Sequence, residues 1–262
     1  MLVAVRWSQL DYSVLHSNEP LLSVIVPARN ESGLIARSLV RLAEVLSRLE
    51  VTYEIIVSDS ASTDRTAAIV ERQALPCVRL VRNHLPGKGR AITSGMAQAR
   101  GQYIGFIDAD LEIDPNFLVP LFDAVRRDAD FAIGVKTLPD PRRSALRRTA
   151  TFCYNGIIRR VLGTPFSDHQ AGLKLFRADW LRPLLPRIES EGWFWDTEVL
   201  FALHRAGARG AEVGVHTIRH RASHVSFWRV SLELLFEGVR LRLARRHPRA
   251  VKSTSQRALE LR

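Results

Sequence analysis

The sequence predicts an α/β fold in which a mostly parallel sheet is flanked by helices, with an amphipathic helix near the C-terminus. Through the first half of the chain, short apolar runs alternate with segments of helical periodicity, as in successive βαβ units. The apolar runs are continuous, which is typical of strands covered on both faces. The chain has 262 residues, 46% of them hydrophobic, which is enough for one domain with a substantial core.

Five strands and four helices are expected in the first half, in alternation. The strands are the apolar runs that end in polar or glycine-containing turns: 21–27, 53–59, 77–83, 103–110 and 130–136. The helices are the intervening segments with apolar residues three and four positions apart: 31–50, 62–73, 89–100 and 115–127. Asp64, in the segment "STD", is expected to cap the second of these helices.

The second half departs from this rhythm. A basic helix is expected at about 144–162, followed by the segments 163–185 and 192–207 and a short strand at 210–218. The last helix, 225–246, has large apolar residues at helical spacing: Val225, Trp228, Leu232, Leu235 and Val239. Such a helix packs on its own protein or, being basic and aromatic, lies in a membrane interface. No apolar run is long enough for a transmembrane helix.

The expected domain organisation follows from these elements. The main domain covers the alternating elements and the segments after them, and the polar ends lie outside it. The four parts are an N-terminal extension (1–20), the main domain (21–224), the amphipathic helix (225–246) and a flexible tail (247–262).

The charge of the chain limits its partners. The net charge is +11, and basic residues concentrate at 141–148 and 240–249. This predicts an anionic partner, such as a phosphorylated substrate, acidic lipid or nucleic acid, unless the whole composition is simply arginine-rich. No helix-turn-helix, zinc-finger or RNP-like pattern occurs, so we expect no nucleic-acid partner. Two cysteines in no metal-ligand spacing, and no signal-peptide pattern, favour a cytoplasmic location.

Two aspartates one residue apart follow the fourth strand, in "IDADLE". Ligands of open parallel sheets bind outside the carboxyl ends of the strands, where Asp108 and Asp110 would face the same side. Carboxylate oxygens suit Mg2+ or Mn2+, which keep open positions for substrate phosphates. Glu112 either adds a third oxygen or is exposed. The alternative for the pair is a turn or helix cap.

Two further strand ends carry candidate contacts. Asp59 follows the second strand, where it either accepts hydrogen bonds from a nucleobase or ribose or stabilises a turn. The segment "PGKGR" (86–90) places glycines around Lys88 just before a helix. Glycine permits close backbone approach, and a helix N-terminus with a lysine suits an anion. The spacing is not that of a Walker A loop, and a plain turn is the alternative.

Six motifs in order resemble a known family. "SVIVPARNE", "SDSASTDRT", "NHLPGKGRA", "GQYIGFIDADLE", "DHQAGLKLFR" and "WFWDTEVL" are similar to those of family 2 glycosyltransferases with the GT-A fold. Within that family, the chain looks most like the polyprenyl- or dolichyl-phosphate mannose and glucose synthases. The resemblance covers about residues 21–221. It implies a GT-A, Rossmann-like sheet and transfer of a hexose from a nucleotide sugar such as GDP-mannose or UDP-glucose.

The resemblance also implies roles for residues of this chain. Those implied to bind the donor are Pro27, Asn30, Glu31, Asp59, Lys88, Asp108 and Gln170. Those implied to hold a divalent cation, Mg2+ or Mn2+, are Asp108, Asp110 and Glu112. Asp168 and Asp196 would be catalytic together with Asp110, and Glu198 shares the acidic motif of Asp196. The cations expected at an acceptor phosphate are Lys136, Arg147, Arg148 and Lys174.

The acceptor decides what catalysis requires. A hydroxyl acceptor needs a general base, for which Asp168 or Asp196 would serve. A polyprenyl phosphate, whose second pKa is about 6, is already largely dianionic and needs positioning and charge neutralisation instead. The expectation is an inverting, metal-dependent transfer to polyprenyl phosphate at the inner face of a membrane, with the enzyme bound peripherally. The alternatives are a saccharide or other hydroxyl acceptor and a non-catalytic sugar-nucleotide sensor.

Overall fold

The computed structural model describes residues 19–73, 75–137, 145–218 and 227–244. Within these ranges, the side chains of 145–150, 152, 227–233 and 244 are not described. Most of the expected N-terminal extension, the expected tail and the first basic cluster therefore lie outside the described residues. Most of the main domain and most of the C-terminal helix lie within them.

Seven strands and eight α-helices make up the described part of the chain. The strands are β1 (Leu22–Ala28), β2 (Tyr53–Ser60), β3 (Val78–Asn83), β4 (Tyr103–Ile107), β5 (Phe131–Lys136), β6 (Leu173–Arg177) and β7 (Gly210–Val215). The helices are α1 (Ile35–Ser47), α2 (Thr66–Gln73), α3 (Lys88–Ala97), α4 (Leu118–Arg127), α5 (Ala145–Leu162), α6 (Ala178–Leu181), α7 (Trp195–Ala206) and α8 (Phe227–Ala244). Short 3-10 helices at Pro115–Phe117 and Leu185–Arg187 precede α4 and follow α6.

The strands form one mixed sheet in the order β3-β2-β1-β4-β6-β5-β7. β1, β2, β3 and β4 pair in parallel, as the βαβ rhythm predicts. β6 inserts between β4 and β5 and pairs antiparallel with both, while β5 and β7 are parallel. Because β6 runs against its neighbours, the segment that precedes it lies at the edge where β4 ends. The predicted mostly parallel α/β sheet is confirmed.

Hydrophobic cores cover both faces of the sheet, as the continuous apolar strands predict. Along β1, Leu22, Val24 and Val26 pack in the core shared with α1 and α4. Ile25, between them, packs in the opposite core, shared with α3, α6 and α7. This alternation follows from the period of two along a strand. The two cores hold the carboxyl ends of β1, β2 and β4 in a fixed register.

Helix α8 packs on α5 and α7 through a third, smaller core. Leu234 and Leu241, seven residues apart, are buried there with Ile158 of α5. Phe236 is 76% exposed, and Val239, expected in the apolar stripe, is also exposed. The helix therefore buries one apolar stripe and presents a second to its surroundings. No helix among the described residues is both long enough and apolar enough to cross a membrane.

A buried carboxylate ties the amino-terminal edge of the sheet together. Glu54 on β2 accepts hydrogen bonds from Ser23 Oγ at 2.7 Å, from Arg79 at 2.7 and 2.9 Å, and from the N–H of Arg100 at 2.9 Å. Burial alone raises the pKa of Glu54, but these hydrogen bonds lower it below its ordinary value of 4.5. The cluster lies at the edge opposite the carboxyl ends of the parallel strands, so its contribution is to stability.

Candidate active site

The candidate site lies at the carboxyl ends of β1, β2 and β4. Ala28, the last residue of β1, lies beside Asp59 of β2 in the parallel register. Asp108 follows β4 directly, and its N–H donates to the carbonyl of Gly172 at 3.2 Å. The segment before β6, which contains Asp168, thus lies at the same edge as the ends of the parallel strands. Four separated parts of the sequence meet there.

Asp108 and Asp110 lie close together in a tight turn after β4. Leu111 has φ 48° and donates its N–H to the carbonyl of Asp108 at 3.0 Å. Burial raises the pKa of Asp110, and the negative charge of Asp108 raises it further. Asp108 itself is 38% exposed. A β-carbon at Gly172 would overlap Asp108 Oδ2, so the glycine leaves room for this carboxylate.

The third expected metal ligand is engaged elsewhere. Glu112 Oε1 accepts from Lys136 Nζ at 3.0 Å. No three His, Cys, Asp or Glu side chains converge on a possible metal position within the described part of the chain. Asp108 and Asp110 still fit a hard cation, because they are neighbouring carboxylates whose charges interact and Asp108 is partly exposed. The structure thus supports a two-carboxylate set that substrate oxygens would complete, with Glu112 near Asp110 but paired with Lys136.

Lys88, at the start of α3, pairs with two of the predicted acidic residues. Its Nζ lies 3.0 Å from Asp108 Oδ1 and 3.3 Å from Asp196 Oδ2. Burial alone would lower the pKa of Lys88, but the two carboxylates raise it well above its ordinary value. The ammonium also lies 5.6 Å from the ring centroid of Phe106 and 5.1 Å from that of Trp193. Lys88 is therefore a fixed positive charge beside Asp108.

The glycines around Lys88 allow close contact with the segment before α7. Gly87 has φ 155°, and β-carbons at Gly87 or Gly89 would collide with the carbonyls of residues 190–192. The N–H groups of Gly89 and Arg90 donate to the carbonyls of Gly192 and Glu191 at 3.1 and 3.0 Å. Two N–H donors at the N-terminus of α3 therefore already have partners within the protein. The expectation that the N-terminus of α3 binds an anion is therefore wrong for these two N–H groups. The group of this turn that could bind an anion is the ammonium of Lys88.

Lys174 and Asp196 form a buried ion pair beneath the site. Lys174 Nζ lies 2.6 Å from Asp196 Oδ1 and donates to the carbonyl of Ala171 at 2.6 Å. The Lys174 side chain is fully buried, and Asp196 is 1% exposed. Lys174 therefore has no surface for an acceptor phosphate, contrary to expectation. Asp196, held between Lys174 and Lys88, is a positioning residue here and not an accessible general base.

Asp59 is the predicted base contact, and its carboxylate is only partly satisfied. It is buried, and Oδ2 accepts from the N–H of Ser62 at 3.2 Å. Oδ1 is buried and has no hydrogen-bond partner among the described residues. Buried polar atoms are nearly always paired, so an unpaired one calls for a reason such as a ligand that is absent. Asp59 therefore stabilises the turn through Oδ2. Its Oδ1 remains available to accept a hydrogen bond from a nucleotide sugar.

The remaining predicted donor residues join the loops after β1 and β2. Asn30 has φ 55°, donates its N–H to Ser62 Oγ at 2.9 Å and accepts from the N–H of Thr63 at 2.8 Å. The N–H of Glu31 donates to Thr66 Oγ1 at 2.8 Å. Pro27, on β1, is partly buried. These residues shape the rim of the site.

The predicted cap at the start of α2 is confirmed. Asp64 Oδ1 accepts from the N–H of Thr66 at 2.9 Å, and Oδ2 accepts from the N–H of Ser32 at 3.1 Å. Burial raises the pKa of Asp64, but hydrogen bonds from Thr66 and Ser32 together lower it to about 2. Asp64 therefore stabilises loop structure at the rim and is not a donor contact.

Asp168 and Gln170 lie in the loop that leads into β6. Asp168 Oδ1 accepts from the N–H of Gln170 at 3.0 Å, and Gln170 Nε2 donates to Thr197 Oγ1 at 2.9 Å. Burial raises the pKa of Asp168, although the positive charge of Lys174 opposes the shift. The loop is thus fastened to α7 by a side-chain hydrogen bond. Of the expected acceptor cations, Lys136 pairs with Glu112, and the side chains of Arg147 and Arg148 lie outside the described residues.

Residues 23–185 match the model of a protein family described as "Glycosyl transferase family 2". The chain belongs to this family. The glycosyltransferase AglD of Haloferax volcanii is 33% identical over 202 residues, which are 74% of this chain and 32% of that protein. The dolichyl-phosphate beta-glucosyltransferase of Dictyostelium discoideum is 28% identical over 253 residues, covering 88% of this chain and 77% of that protein. The family predicted from the six motifs is confirmed, with relatives that include polyprenyl-phosphate sugar transferases.

This family 2 glycosyltransferase spans only part of several relatives. It covers about a third of AglD and 51% of the undecaprenyl-phosphate 4-deoxy-4-formamido-L-arabinose transferase of Edwardsiella ictaluri, to which it is 28% identical over 168 residues. Among solved structures, glucosyl-3-phosphoglycerate synthase from Mycobacterium tuberculosis, in complex with Mn2+, UDP and glucosyl-3-phosphoglycerate, aligns with a TM-score of 0.63 at 20% identity. The alignment covers 86% of this chain and 80% of that one, and it confirms the expected GT-A fold.

Three parts of this glycosyltransferase site were not predicted from the sequence. Gly172 makes room for Asp108, and Phe106 lies beneath the ammonium groups of Lys88 and Lys174. Trp193 lies on the exposed side of Lys88. The motif "WFWDTEVL" contains Trp193, but nothing in its spacing tells which of its three aromatic residues is exposed.

Proposed function

We propose that this glycosyltransferase moves a hexose from a nucleoside-diphosphate sugar to a polyprenyl phosphate, in a reaction that requires a divalent cation and inverts the anomeric centre. The observation that carries the proposal is the clustering of Asp108 and Asp110 with the cation of Lys88 at the carboxyl edge of the sheet. Two carboxylates and an ammonium suit a metal-bound diphosphate. Relatives named as dolichyl-phosphate and undecaprenyl-phosphate sugar transferases support the acceptor class.

The donor would lie across the ends of β1, β2 and β4. Asp59 Oδ1, buried and unpaired among the described residues, would accept a hydrogen bond from the base or ribose. Lys88 would hold its ammonium, which lies 3.0 Å from Asp108 Oδ1, beside the diphosphate. A divalent cation held by Asp108 and Asp110 would neutralise the charge that builds on the leaving nucleoside diphosphate. Asp196 and Lys174 would keep Lys88 in position throughout.

A phosphate acceptor requires no strong base at this site. Its oxygen is already ionised near neutral pH, so attack on the anomeric carbon needs alignment and charge compensation. Lys136, 3.0 Å from Glu112, would supply positive charge by exchanging that carboxylate for the phosphate. Asp168 would orient the loop before β6. One observation favours the hydroxyl-acceptor alternative: burial raises the pKa of Asp168, which suits a general base.

The acceptor lipid would be met at a membrane surface. Helix α8 exposes Phe236, Val239 and Leu243 on one side, with the exposed charges of Arg240 and Arg242 nearby. Apolar and aromatic side chains beside arginines suit the boundary between acyl chains and anionic headgroups. We infer peripheral attachment through this face, which leaves the buried stripe of α8 on the protein.

Transfer of label tests the proposal directly. Radiolabelled UDP- and GDP-sugars are incubated with polyprenyl phosphate and Mg2+ or Mn2+, and the organic phase is counted with and without EDTA. We expect metal-dependent label from one donor, and its loss in Asp110→Ala. Asp123→Ala, at an exposed position on α4, is the matched control and should keep full activity. Donor consumption with an unlabelled organic phase would refute the lipid acceptor, and undiminished transfer by Asp110→Ala would refute the metal assignment.

A further inference from the structure

Trp193 is a half-exposed aromatic side chain in a run of three aromatics. Its neighbours Phe194 and Trp195 are 3% and 0% exposed, whereas Trp193 is 46% exposed. Trp195 also donates its Nε1–H to Thr93 Oγ1 at 2.8 Å, so it belongs to the core. Exposing a large aromatic side chain forgoes the stabilisation that its burial would bring. The local packing therefore places one indole, and only one of this run, at the surface.

The backbone that carries Trp193 is held from two sides. Glu198 Oε2 accepts from the N–H groups of Glu189 and Ser190 at 3.2 and 2.8 Å. On the other side, the carbonyls of Glu191 and Gly192 accept from the start of α3 at 3.0 and 3.1 Å. Residues 189–192 thus form a fixed segment between α3 and α7. The indole is presented by a preorganised backbone, as a binding residue requires.

The indole lies close to the proposed reacting centre, because Lys88 contacts both the Trp193 ring and Asp108. The ammonium of Lys88 lies 5.1 Å from the Trp193 ring centroid and 3.0 Å from Asp108 Oδ1. A diphosphate held by Lys88, and by a divalent cation on Asp108, would therefore place its attached sugar close to this ring. A pyranose has one face made largely of C–H groups, which packs well on an aromatic ring. The Trp193 ring would thus contact the sugar without contacting the nucleotide.

We propose that Trp193 is a specificity-determining residue that packs against the C–H face of the donor hexose. The inference rests on the proposed function and adds a sugar contact that none of the charged residues supplies. Its role is to fix the orientation of the anomeric carbon relative to the acceptor. It acts on the sugar part of the donor alone, which separates it from residues that bind base or diphosphate.

Calorimetric titration with Mn2+ present, of a nucleotide sugar and of the free nucleoside diphosphate, tests this assignment. UDP-glucose is compared with UDP, and GDP-mannose with GDP, using the pair that the wild-type protein binds. Trp193→Ala should weaken nucleotide-sugar binding about tenfold and change free nucleotide binding less than twofold. Trp193→Phe, which keeps an aromatic face, should recover most of the loss. Because Trp193 is half exposed, both variants should unfold within a few degrees of wild type.

Each other outcome has a distinct meaning. Equal weakening of both ligands would show that the indole only supports Lys88, which overturns the inference. Unchanged donor binding with a raised KM for polyprenyl phosphate would assign Trp193 to the lipid and overturn it as well. A wild-type protein that binds neither nucleotides nor nucleotide sugars would overturn the proposed function itself. Only selective loss of the sugar-dependent affinity supports the inference.

Discussion

Replacing Lys174 by methionine tests the buried ion pair that supports the site. Lys174 Nζ lies 2.6 Å from Asp196 Oδ1, with neither side chain appreciably exposed. Removing one partner of a buried pair costs about 3–5 kcal/mol, because the other charge is left in the interior. Asp196 keeps Lys88 at 3.3 Å, so we expect the low end, about 3 kcal/mol. For a domain of this size that lowers Tm by about 6–12 °C.

Urea unfolding followed by circular dichroism measures the loss, and two further variants identify its cause. Replacing both partners, as in Lys174→Met with Asp196→Leu, should recover part of the stability, since no buried charge is then left unpaired. Lys88→Met is the matched control; its other partner, Asp108, is 38% exposed and can be hydrated, so the loss should be smaller. A Lys174→Met variant within about 0.5 kcal/mol of wild type, or a double variant less stable than the single one, would refute the reasoning.

Three other predictions concern separate parts of the molecule. Gly172→Ala should push the Asp108 carboxylate aside and lower the initial transfer rate by up to about a hundredfold. Gly156→Ala is the control, because nothing among the described residues lies within contact of a β-carbon there, and it should leave the rate unchanged. Equal rates for the two variants would contradict this prediction. Glu54→Gln should destabilise the protein at pH 7. Because folding lowers the pKa of Glu54, its stabilisation is present above the ordinary value of 4.5 and is lost as pH falls below it, so urea unfolding should show the difference shrinking towards pH 3. A difference independent of pH would argue against the ionised cluster. Phe236→Ser should weaken co-sedimentation with anionic vesicles without lowering Tm, because that side chain is 76% exposed; unchanged co-sedimentation would exclude it from the membrane contact.

Apolar periodicity and strand ends were sufficient to predict much of the fold and the sheet edge at which the candidate residues gather. The five strands of the first half occur where continuous apolar runs were identified, within a few residues at their ends. Asp59 and Asp108 lie at the carboxyl edge because parallel strands place their ends together. These features depend on local sequence and on one general rule of sheet geometry. These features can therefore be predicted from a single sequence.

Other parts depend on pairings between distant segments, and only the tertiary structure decided them. Nothing in 163–185 marks β6 as a strand that inserts antiparallel between β4 and β5. Glu112, an expected metal ligand, is paired with Lys136, and Lys174, an expected phosphate contact, is buried against Asp196. A charged residue looks the same in the sequence whether it faces a ligand or a partner across the core.

The sequence by itself determined the α/β alternation, the family motifs and the edge of the sheet where polar residues gather. The tertiary structure decided which of those polar residues neutralise one another and which, like Asp59 among the described residues, keep a buried oxygen unpaired. It also decided which aromatic of "WFW" is exposed, through contacts of residues 190–192 with a turn about a hundred positions earlier. The physical reason is that burial and charge pairing are properties of neighbours in space, whereas periodicity is a property of neighbours in sequence.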